Sequence, residues 1–242
     1  MRVSCVIPTY NERETLPALL RRLAEVVSGA GLPAEVVVVD DASPDGTGDV
    51  AARIGAELRD TLPVVVVNRP GKAGLTSAVL DGVRRGTGDI VVVMDSDLSH
   101  PPDVVLRLVR AVEGGAAVAV GSRYASGGGI GRWPLLRRVI SWGATRLAQV
   151  LVGTSVHDPV SGFFAARRDL FERVRFEGVG YKLLLEILAS GEASRVDEVP
   201  YRFVERAGGH SKLGAGEIVN YVRLLARLWR HRIGSGSRSA AE

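Results

Sequence analysis

The stretch that decides the fold reads Ile90-Val91-Val92-Val93-Met94-Asp95-Ser96-Asp97-Leu98-Ser99-His100-Pro101-Pro102. Its apolar, mostly β-branched residues predict a strand over 89–94 that is buried on both faces of a parallel sheet. Asp95 and Asp97 follow at once, and the Pro-Pro pair suits the first turn of a helix. Ligands of open α/β sheets bind at the carboxyl ends of the strands. The two carboxylates are therefore expected to share a hard cation there, although a turn with helix-capping Asp residues gives the same pattern.

The first half of the chain repeats a strand–loop–helix pattern. Strands are predicted at 3–7, 35–39, 64–67, 89–94 and 116–120, and helices from 11–12 to about 27, at 48–57, at 73–85 and at 101–113. This alternation predicts an α/β fold with a mostly parallel, doubly wound central sheet and helices on both faces. Neither of the usual glycine-rich phosphate loops is present, so a bound diphosphate would need a metal and basic side chains for neutralisation.

The composition is that of one globular α/β domain. The chain has 242 residues, of which 46% are hydrophobic and 24% charged. It contains no long apolar run that would span a bilayer, no signal-peptide pattern, and a single cysteine, Cys5. These features lead us to expect a cytoplasmic protein.

The net charge is +4, with the basic residues concentrated after Arg123. An anionic partner is therefore expected for the second half, and nucleic acid is not among the expected partners.

Motifs at the other strand ends extend the pattern. They are Pro8-Thr9-Tyr10-Asn11-Glu12, Asp40-Asp41-x-Ser43-Pro44-Asp45-Gly46-Thr47 and Lys72-x-Gly74-Leu75. Together with Asp95-x-Asp97 they resemble the GT-A fold of family 2 glycosyltransferases. The second half contains Gly121-Ser122-Arg123-Tyr124, Asp158-Pro159-Val160-Ser161-Gly162-Phe163-Phe164, Gly180-Tyr181-Lys182 and Ser211-Lys212-Leu213. These narrow the resemblance to the polyprenol (dolichol) monophosphate mannose synthases, with motifs in colinear order from about 3 to 213.

This resemblance implies a GT-A (Rossmann-like) nucleotide-diphospho-sugar transferase fold and inverting transfer of mannose from GDP-mannose to a polyprenyl phosphate. It implies a nucleotide site at Pro8, Tyr10, Glu12, Asp40 or Asp41, Lys72 and Asp95, and Mg²⁺ or Mn²⁺ at Asp95 and Asp97. It implies that Arg123, Arg137, Ser141, Arg206 and Lys212 converge on the acceptor phosphate, while Asp97 acts in the reaction through the metal.

Three residues near these sites have more than one interpretation. Ser99 stands where the family has Gln or Ser, and it is expected beside the metal rather than as a ligand. His100 is either a metal ligand or, as its Pro-Pro neighbours favour, a loop or capping residue. By resemblance, the segment 158–164 lines the end of the pocket that holds the donor sugar and the acceptor; for Asp158 itself, a turn before proline is the alternative.

Other functions remain open on the sequence. A polyprenyl-phosphate glucosyltransferase that uses UDP-glucose is the nearest alternative, because the sequence does not distinguish guanine from uracil recognition. A non-catalytic nucleotide-sugar-binding module is a further alternative, although the retention of Asp95, Asp97, Arg206 and Lys212 argues against it. A nicotinamide-dependent dehydrogenase would need the glycine fingerprint that is missing here.

The predicted domain organisation is a GT-A catalytic domain at 1–213, a basic amphipathic helix at 214–233 and a disordered tail at 234–242. Residues 126–131 are glycine-rich and are interpreted as a mobile loop or a connector.

A helix at about 133–152 combines aromatic, aliphatic and basic residues, which suits a membrane interface or a core position. The C-terminal helix is expected on the bilayer surface, on an integral membrane partner or docked on the domain. These features predict a peripheral protein on the cytoplasmic face of the membrane. A helix at 181–190 and a strand at 195–203 complete the prediction.

Overall fold

A single seven-stranded sheet, in the order β3-β2-β1-β4-β6-β5-β7, forms the centre of the computed structural model. The structure describes residues 1–131, 133–176, 182–204, 221 and 223–228, without the side chains of 136 and 137. The strands are β1 Val3–Thr9, β2 Ala34–Asp40, β3 Val64–Asn68, β4 Ile90–Val93, β5 Val118–Ser122, β6 Phe164–Arg167 and β7 Val196–Pro200. The helices are α1 Leu16–Gly29, α2 Thr47–Glu57, α3 Leu75–Arg85, α4 Asp103–Glu113, α5 Leu135–Val152, α6 Arg168–Arg173 and α7 Leu183–Ser190.

The sheet is mostly parallel, which confirms the predicted fold class. Strand β1 pairs in parallel with both β2 and β4, and β2 pairs in parallel with β3. Strand β6 is the exception, because it lies antiparallel between β4 and β5. The sequence analysis missed β6. Its four residues, Phe-Ala-Ala-Arg, are too few to show a period-2 pattern, and alanine has little preference for strands.

Both faces of the sheet are covered because the central strands are apolar throughout. Val36 and Val38 of β2 face the cluster that contains the buried residues of α1, α2 and α4. Val37 and Val39 face the opposite cluster, to which α3, α6 and α7 contribute. This alternation follows from the two-residue repeat of a strand. Continuous valine runs therefore predicted correctly that the sheet has helices on both faces.

Several helices begin later than predicted, because the residues at the strand ends form loops. Helix α1 begins at Leu16 rather than at 11–12, since Asn11 has a positive φ of 59° that is incompatible with a right-handed helix. Helix α3 begins at Leu75 rather than 73, after Gly74 with a φ of 95°. Helix α4 begins at Asp103 rather than 101. These corrections give the loops at the carboxyl edge of the sheet the length that a binding site requires.

The C-terminal helical segment is docked on the domain at the positions described, 221 and 223–228. Leu224 and Leu225 are buried in a cluster with Ala148 of α5 and Leu185 of α7. The hydroxyl of Tyr221 donates a hydrogen bond to the Ala144 carbonyl at 2.7 Å. The apolar side of this segment is thus covered by protein. The rest of the predicted helix at 214–233 and the tail at 234–242 lie outside the described residues. None of the described helices is long and apolar enough to cross a membrane.

Candidate functional site

A cavity of about 300 Å³ opens at the carboxyl edge of the sheet, beyond strands β1, β2 and β4. Its walls contain eight of the residues predicted for the site: Pro8, Tyr10, Glu12, Asp41, Lys72, Asp95, Asp97 and Arg123. These side chains come from five separate loops, so the sheet topology alone brings them together. The volume is at the lower end of the range of small-molecule sites.

The turn after β4 holds both carboxylates of the predicted metal site. The carboxylate of Asp97 accepts a hydrogen bond from the Ser99 amide at 3.0 Å, and Leu98 has a positive φ of 62°. The Asp95 amide donates to His100 Nδ1 at 3.0 Å. Asp97 is nearly buried, whereas the Asp95 side chain is 37% exposed. The turn is thereby fixed by its own side chains, with both carboxylates at the cavity wall.

These residues fit a divalent cation that is shared with a bound diphosphate. Within the described part of the chain, no group of three or more His, Cys, Asp or Glu residues could hold a metal by itself. Mg²⁺ is commonly bound by one or two carboxylates together with substrate phosphates and water, which is the number of carboxylates this turn provides. The Ser99 hydroxyl is buried and has no hydrogen-bond partner among the described residues. It sits in the same turn as the two carboxylates, and its place beside a metal stays a prediction.

His100 has a loop role, as its Pro-Pro neighbours favour, because its Nδ1 atom accepts a hydrogen bond from the Asp95 amide at 3.0 Å. Burial lowers the pKa of His100, and the nearby charges of Asp95 and Asp97 oppose that effect only in part. The ring thus acts as a hydrogen-bond acceptor within the turn.

The structure distinguishes Asp40 from Asp41, which the sequence left as alternatives for the nucleotide site. Asp40 lies behind the wall, where its carboxylate accepts hydrogen bonds from the Ser43 amide at 2.9 Å, the Ser43 hydroxyl at 2.6 Å and Thr9 Oγ1 at 3.0 Å. Asp41 lines the cavity and forms an ion pair with Arg69 at 2.7 Å. Asp40 thus stabilises the loop, and Asp41 is the one of the two that lines the cavity.

Asp41 also fixes the loop that carries Lys72. Its carboxylate accepts hydrogen bonds from the amides of Ala73 at 3.2 Å and Gly74 at 3.3 Å. The Lys72 ammonium lies 4.0 Å from the centre of the Tyr10 ring, within the range of a cation–π contact. A cation and an aromatic ring are therefore adjacent at this end of the cavity.

On the opposite side, Arg123 is held by Asp158 in a forked ion pair. Arg123 Nε donates to one carboxylate oxygen at 2.7 Å, Nη2 donates to the other at 2.8 Å, and the Arg123 amide adds a bond at 3.0 Å. Burial alone would lower the pKa of Arg123, but the hydrogen bond and charge of Asp158 outweigh it and raise that pKa. Asp158 is fully buried, and it is Arg123 that reaches the cavity. Within the segment 158–164, Val160 and Gly162 line the cavity, so the expected lining role applies to those two residues and not to Asp158, which lies behind Arg123.

The other residues predicted for the acceptor are only partly placed. Ser141 lies on α5, outside the cavity wall as described, and its hydroxyl accepts a hydrogen bond from the Tyr124 hydroxyl at 2.8 Å. Arg137 belongs to α5, but its side chain lies outside the described residues, as do Arg206 and Lys212.

Sequence reasoning missed several side chains of the wall, among them Trp133, Lys182 and Phe203. Trp133 and Phe203 meet edge to face at 5.3 Å between ring centres, beside the Arg123 guanidinium, which lies 5.7 Å from the Trp133 ring. Trp133 appeared in the sequence only as the start of a helix, and Phe203 as the end of a strand. No local pattern marks such residues, because their role depends on contacts between distant segments.

Comparison with known proteins agrees with this geometry. The family model described as glycosyl transferase family 2 matches residues 4–175. A dolichol-phosphate mannosyltransferase of Pyrococcus furiosus is 44% identical over 232 residues, which are 95% of this chain and 64% of that protein. This chain therefore spans slightly less than two thirds of the length of that relative. A polyprenol monophosphomannose synthase of Mycolicibacterium smegmatis is 40% identical over 226 residues, or 90% of this chain and 83% of that protein.

Among solved structures, a mannosyltransferase from Pyrobaculum calidifontis, in complex with GDP-Man and Mn²⁺, has the same fold. Its TM-score is 0.66 at 23% identity, and the match covers 93% of this chain and 64% of that one. The matched family model includes both carboxylates of the turn after β4, the nucleotide end of the cavity and the Arg123–Asp158 pair. On the family match, the two relatives and the shared fold, the chain belongs to glycosyl transferase family 2.

Proposed function

We propose that this protein is an inverting glycosyltransferase that moves mannose from GDP-mannose to a polyprenyl phosphate. The observation that carries the proposal is that one cavity has two carboxylates on one wall and a buried, pre-oriented Arg123 on another. The first group suits a cation-bound diphosphate, and the second suits another phosphate. The names of the relatives at 44% and 40% identity support mannose as the sugar and a polyprenyl phosphate as the acceptor.

In the proposed reaction, the donor occupies the side of the cavity formed by the loops after β1, β2, β3 and β4. Tyr10, Glu12, Asp41 and Lys72 hold the nucleotide, and Asp95 and Asp97 hold Mg²⁺ or Mn²⁺. The cation, when bound, acts as a Lewis acid that stabilises the negative charge of the departing diphosphate. Lys72 adds a positive charge at the same end, where its contact with Tyr10 limits its freedom.

The acceptor phosphate is assigned to Arg123, together with Arg137, Ser141, Arg206 and Lys212. Asp158 occupies two donors of the Arg123 fork, and this fixes the plane and direction of the guanidinium. A guanidinium that is held in place before the substrate arrives loses less entropy on binding than a mobile one. Arg123 therefore serves to place the acceptor oxygen against the sugar.

The proposal places the protein on a membrane surface through helix α5. One side of this helix exposes Leu135, Val139, Trp142 and Val150, with Leu135 at 75% and Val150 at 74% exposure. The helix has three arginines and no acidic residue. A basic helix with an exposed apolar face suits the interface of a bilayer that contains anionic lipids. The site begins directly before it, at Trp133, so a lipid-borne phosphate would reach the cavity from this side. We place the protein on the cytoplasmic face, since a sequence with a single cysteine has no internal disulfide that would mark an oxidising compartment.

The proposal is tested by transfer assays with the full chain. Purified protein is incubated with radiolabelled GDP-mannose, UDP-glucose or other sugar nucleotides and a polyprenyl phosphate, and the lipids are then extracted. We expect lipid-linked mannose from GDP-mannose, and its loss on addition of EDTA or in Asp97→Ala with an unchanged melting temperature. Lipid-linked glucose would support the UDP-glucose alternative. Nucleotide binding without any lipid product would indicate a binding module.

A further inference from the structure

The amide of Asp95 needs a hydrogen-bond acceptor that the sheet does not provide. Strand β4 ends at Val93, and the Met94 amide makes the last bond to β1, to the Val6 carbonyl at 3.3 Å. The next amide, that of Asp95, donates instead to His100 Nδ1 at 3.0 Å. The turn after β4 is therefore closed by a side-chain acceptor, His100, which follows Asp95 by five residues.

This hydrogen bond fixes the tautomer of His100. A backbone amide nitrogen always donates, so Nδ1 must accept through its lone pair and the ring proton must sit on Nε2. The Nε2 atom lies 3.8 Å from the nearer Asp95 carboxylate oxygen, which is too far for a hydrogen bond. The imidazole thus holds the backbone of Asp95 without occupying its carboxylate.

The imidazole ring is itself immobilised by aromatic contacts. It stacks on Phe163 at 4.7 Å between ring centres with an angle of 13°, and it meets Tyr201 edge to face at 5.9 Å. Its side chain is only 4% exposed. A ring held in this way can fix the position of the amide that it accepts from.

Gly162 lies beside the Asp95 carboxylate in the cavity wall. A methyl group added at Gly162 would lie 3.7 Å from both Asp95 carboxylate oxygens and from the His100 ring, which is ordinary van der Waals contact. The backbone of Asp95 is therefore held by His100, while its carboxylate stays at the cavity wall.

We propose that His100 is a positioning residue that orients Asp95 toward the divalent cation by accepting its amide hydrogen bond. This inference rests on the proposed function only in that a divalent cation binds at Asp95. It does not depend on which sugar is transferred or which acceptor receives it. The competing explanation is that His100 only fills space in the aromatic cluster. The two explanations make opposite predictions for two variants.

The test compares His100→Asn with His100→Phe in the full chain. The side-chain oxygen of Asn branches at the same position as Nδ1 and can accept from the Asp95 amide, but Asn lacks the ring. Phe keeps the ring stacked on Phe163 but lacks the acceptor. Affinity for Mn²⁺ is measured with saturating GDP and, in parallel, with saturating UDP by the electron paramagnetic resonance of free Mn²⁺, and thermal unfolding is recorded alongside. The control for general destabilisation is Phe171→Leu, which alters a core residue of α6 on the face of the sheet that α3 and α7 also cover.

We expect His100→Phe to weaken Mn²⁺ binding about tenfold or more, as losses of outer-shell partners of metal ligands do. His100→Asn should stay within about threefold of the unmodified chain despite its poorer packing. If Phe prevents folding, His100→Leu takes its place as the acceptor-free variant. Retained affinity in the Phe or Leu variant, or equal losses in both types, would overturn the proposal, as would absence of Mn²⁺ binding to the unmodified chain. A wrong sugar or acceptor would appear only in the transfer assay, so the two failures can be told apart.

Discussion

Asp95 and Asp97 are examples of site residues that can be predicted from the local sequence alone. They are two positions apart and directly follow an apolar strand, so local pattern and strand direction suffice to predict their place. The Arg123–Asp158 pair is different, because 35 residues separate its members. Only the sheet, in which the segments of β5 and β6 become neighbours, brings the two side chains together. Nothing in the local sequence indicates that Asp158 has Arg123 as its partner.

The first prediction at the scale of single residues concerns this buried pair. Asp158→Ala leaves the Arg123 charge without its partner, and breaking a buried ion pair typically costs about 3–5 kcal/mol of stability. We expect a loss of that size in the free energy of unfolding, measured with urea. Adding Arg123→Met to the same chain should recover part of the loss, because the unpaired charge is gone. Equal stability of Asp158→Ala and the unmodified chain would show that the pair is not formed in solution.

The milder Asp158→Asn variant separates positioning from catalysis. Asn retains an oxygen for the Arg123 amide but loses the charge-assisted fork. We therefore expect a higher KM for the polyprenyl phosphate, with kcat and the KM for GDP-mannose changed less. Transfer rates at varied concentrations of each substrate give the answer. A loss confined to kcat, with both substrates bound normally, would assign chemistry to Asp158 itself.

At the scale of elements, β6 and α5 mark two limits of sequence reasoning. Strand β6 was missed because four residues are too few for periodicity. For α5 the helix was predicted, but its surroundings were not. Apolar residues at helical spacing look the same whether they meet protein or lipid, and only the structure shows which side is covered. In the C-terminal segment Leu224 and Leu225 are covered, whereas in α5 Val139 and Trp142 are exposed. This contrast moves the expected membrane contact from the C-terminal helix to α5.

A prediction about α5 follows from its exposed face. Replacing Leu135, Val139 and Trp142 together by Ser should weaken sedimentation with vesicles that contain anionic lipids, since each change removes apolar area available to the bilayer. Because these residues are exposed, the melting temperature should change little. The matched control replaces Arg53, on the distant helix α2, by Ser; it should sediment like the unmodified chain. Unchanged sedimentation of the triple variant would refute α5 as the membrane contact, and would leave a partner protein as the occupant of that face.

At the scale of the whole molecule, the fold separates the regions that we propose for the two phosphate-bearing substrates. The loops after β1, β2, β3 and β4 carry the carboxylates and the residues proposed for the nucleotide, while Arg123 follows β5 and lies on the chain segment that precedes the exposed helix α5. The donor would thus enter from the aqueous side and the acceptor from the lipid side. The parallel half of the sheet was predictable, because a repeated strand–helix pattern determines it. The acceptor half was not, because it depends on an antiparallel insertion and on long-range pairs such as Arg123 with Asp158.

The arrangement also bears on whether transfer needs a general base. A sugar hydroxyl must lose a proton to become a nucleophile, whereas a phosphate monoester is already an anion near neutral pH, its second pKa being about 6. The carboxylates in the described cavity wall are Glu12, Asp41, Asp95 and Asp97, all assigned to the nucleotide or the cation. Asp158 is committed to Arg123. Under the proposed function, we therefore expect positively charged groups that align the acceptor oxygen to be sufficient.

The last prediction tests this absence of a base. Arg206→Ala or Lys212→Ala should lower the transfer rate on the order of 100-fold, because each removes a positive charge that offsets repulsion between acceptor and donor. Glu186→Gln replaces a buried carboxylate of α7 by a neutral group of the same shape, and it should retain most of the rate. Steady-state kinetics and a solvent isotope effect near unity in D₂O are the measurements, since no proton moves in the transfer step. A large isotope effect, or loss of turnover in Glu186→Gln with both substrates still bound, would restore a carboxylate base and contradict transfer by alignment alone.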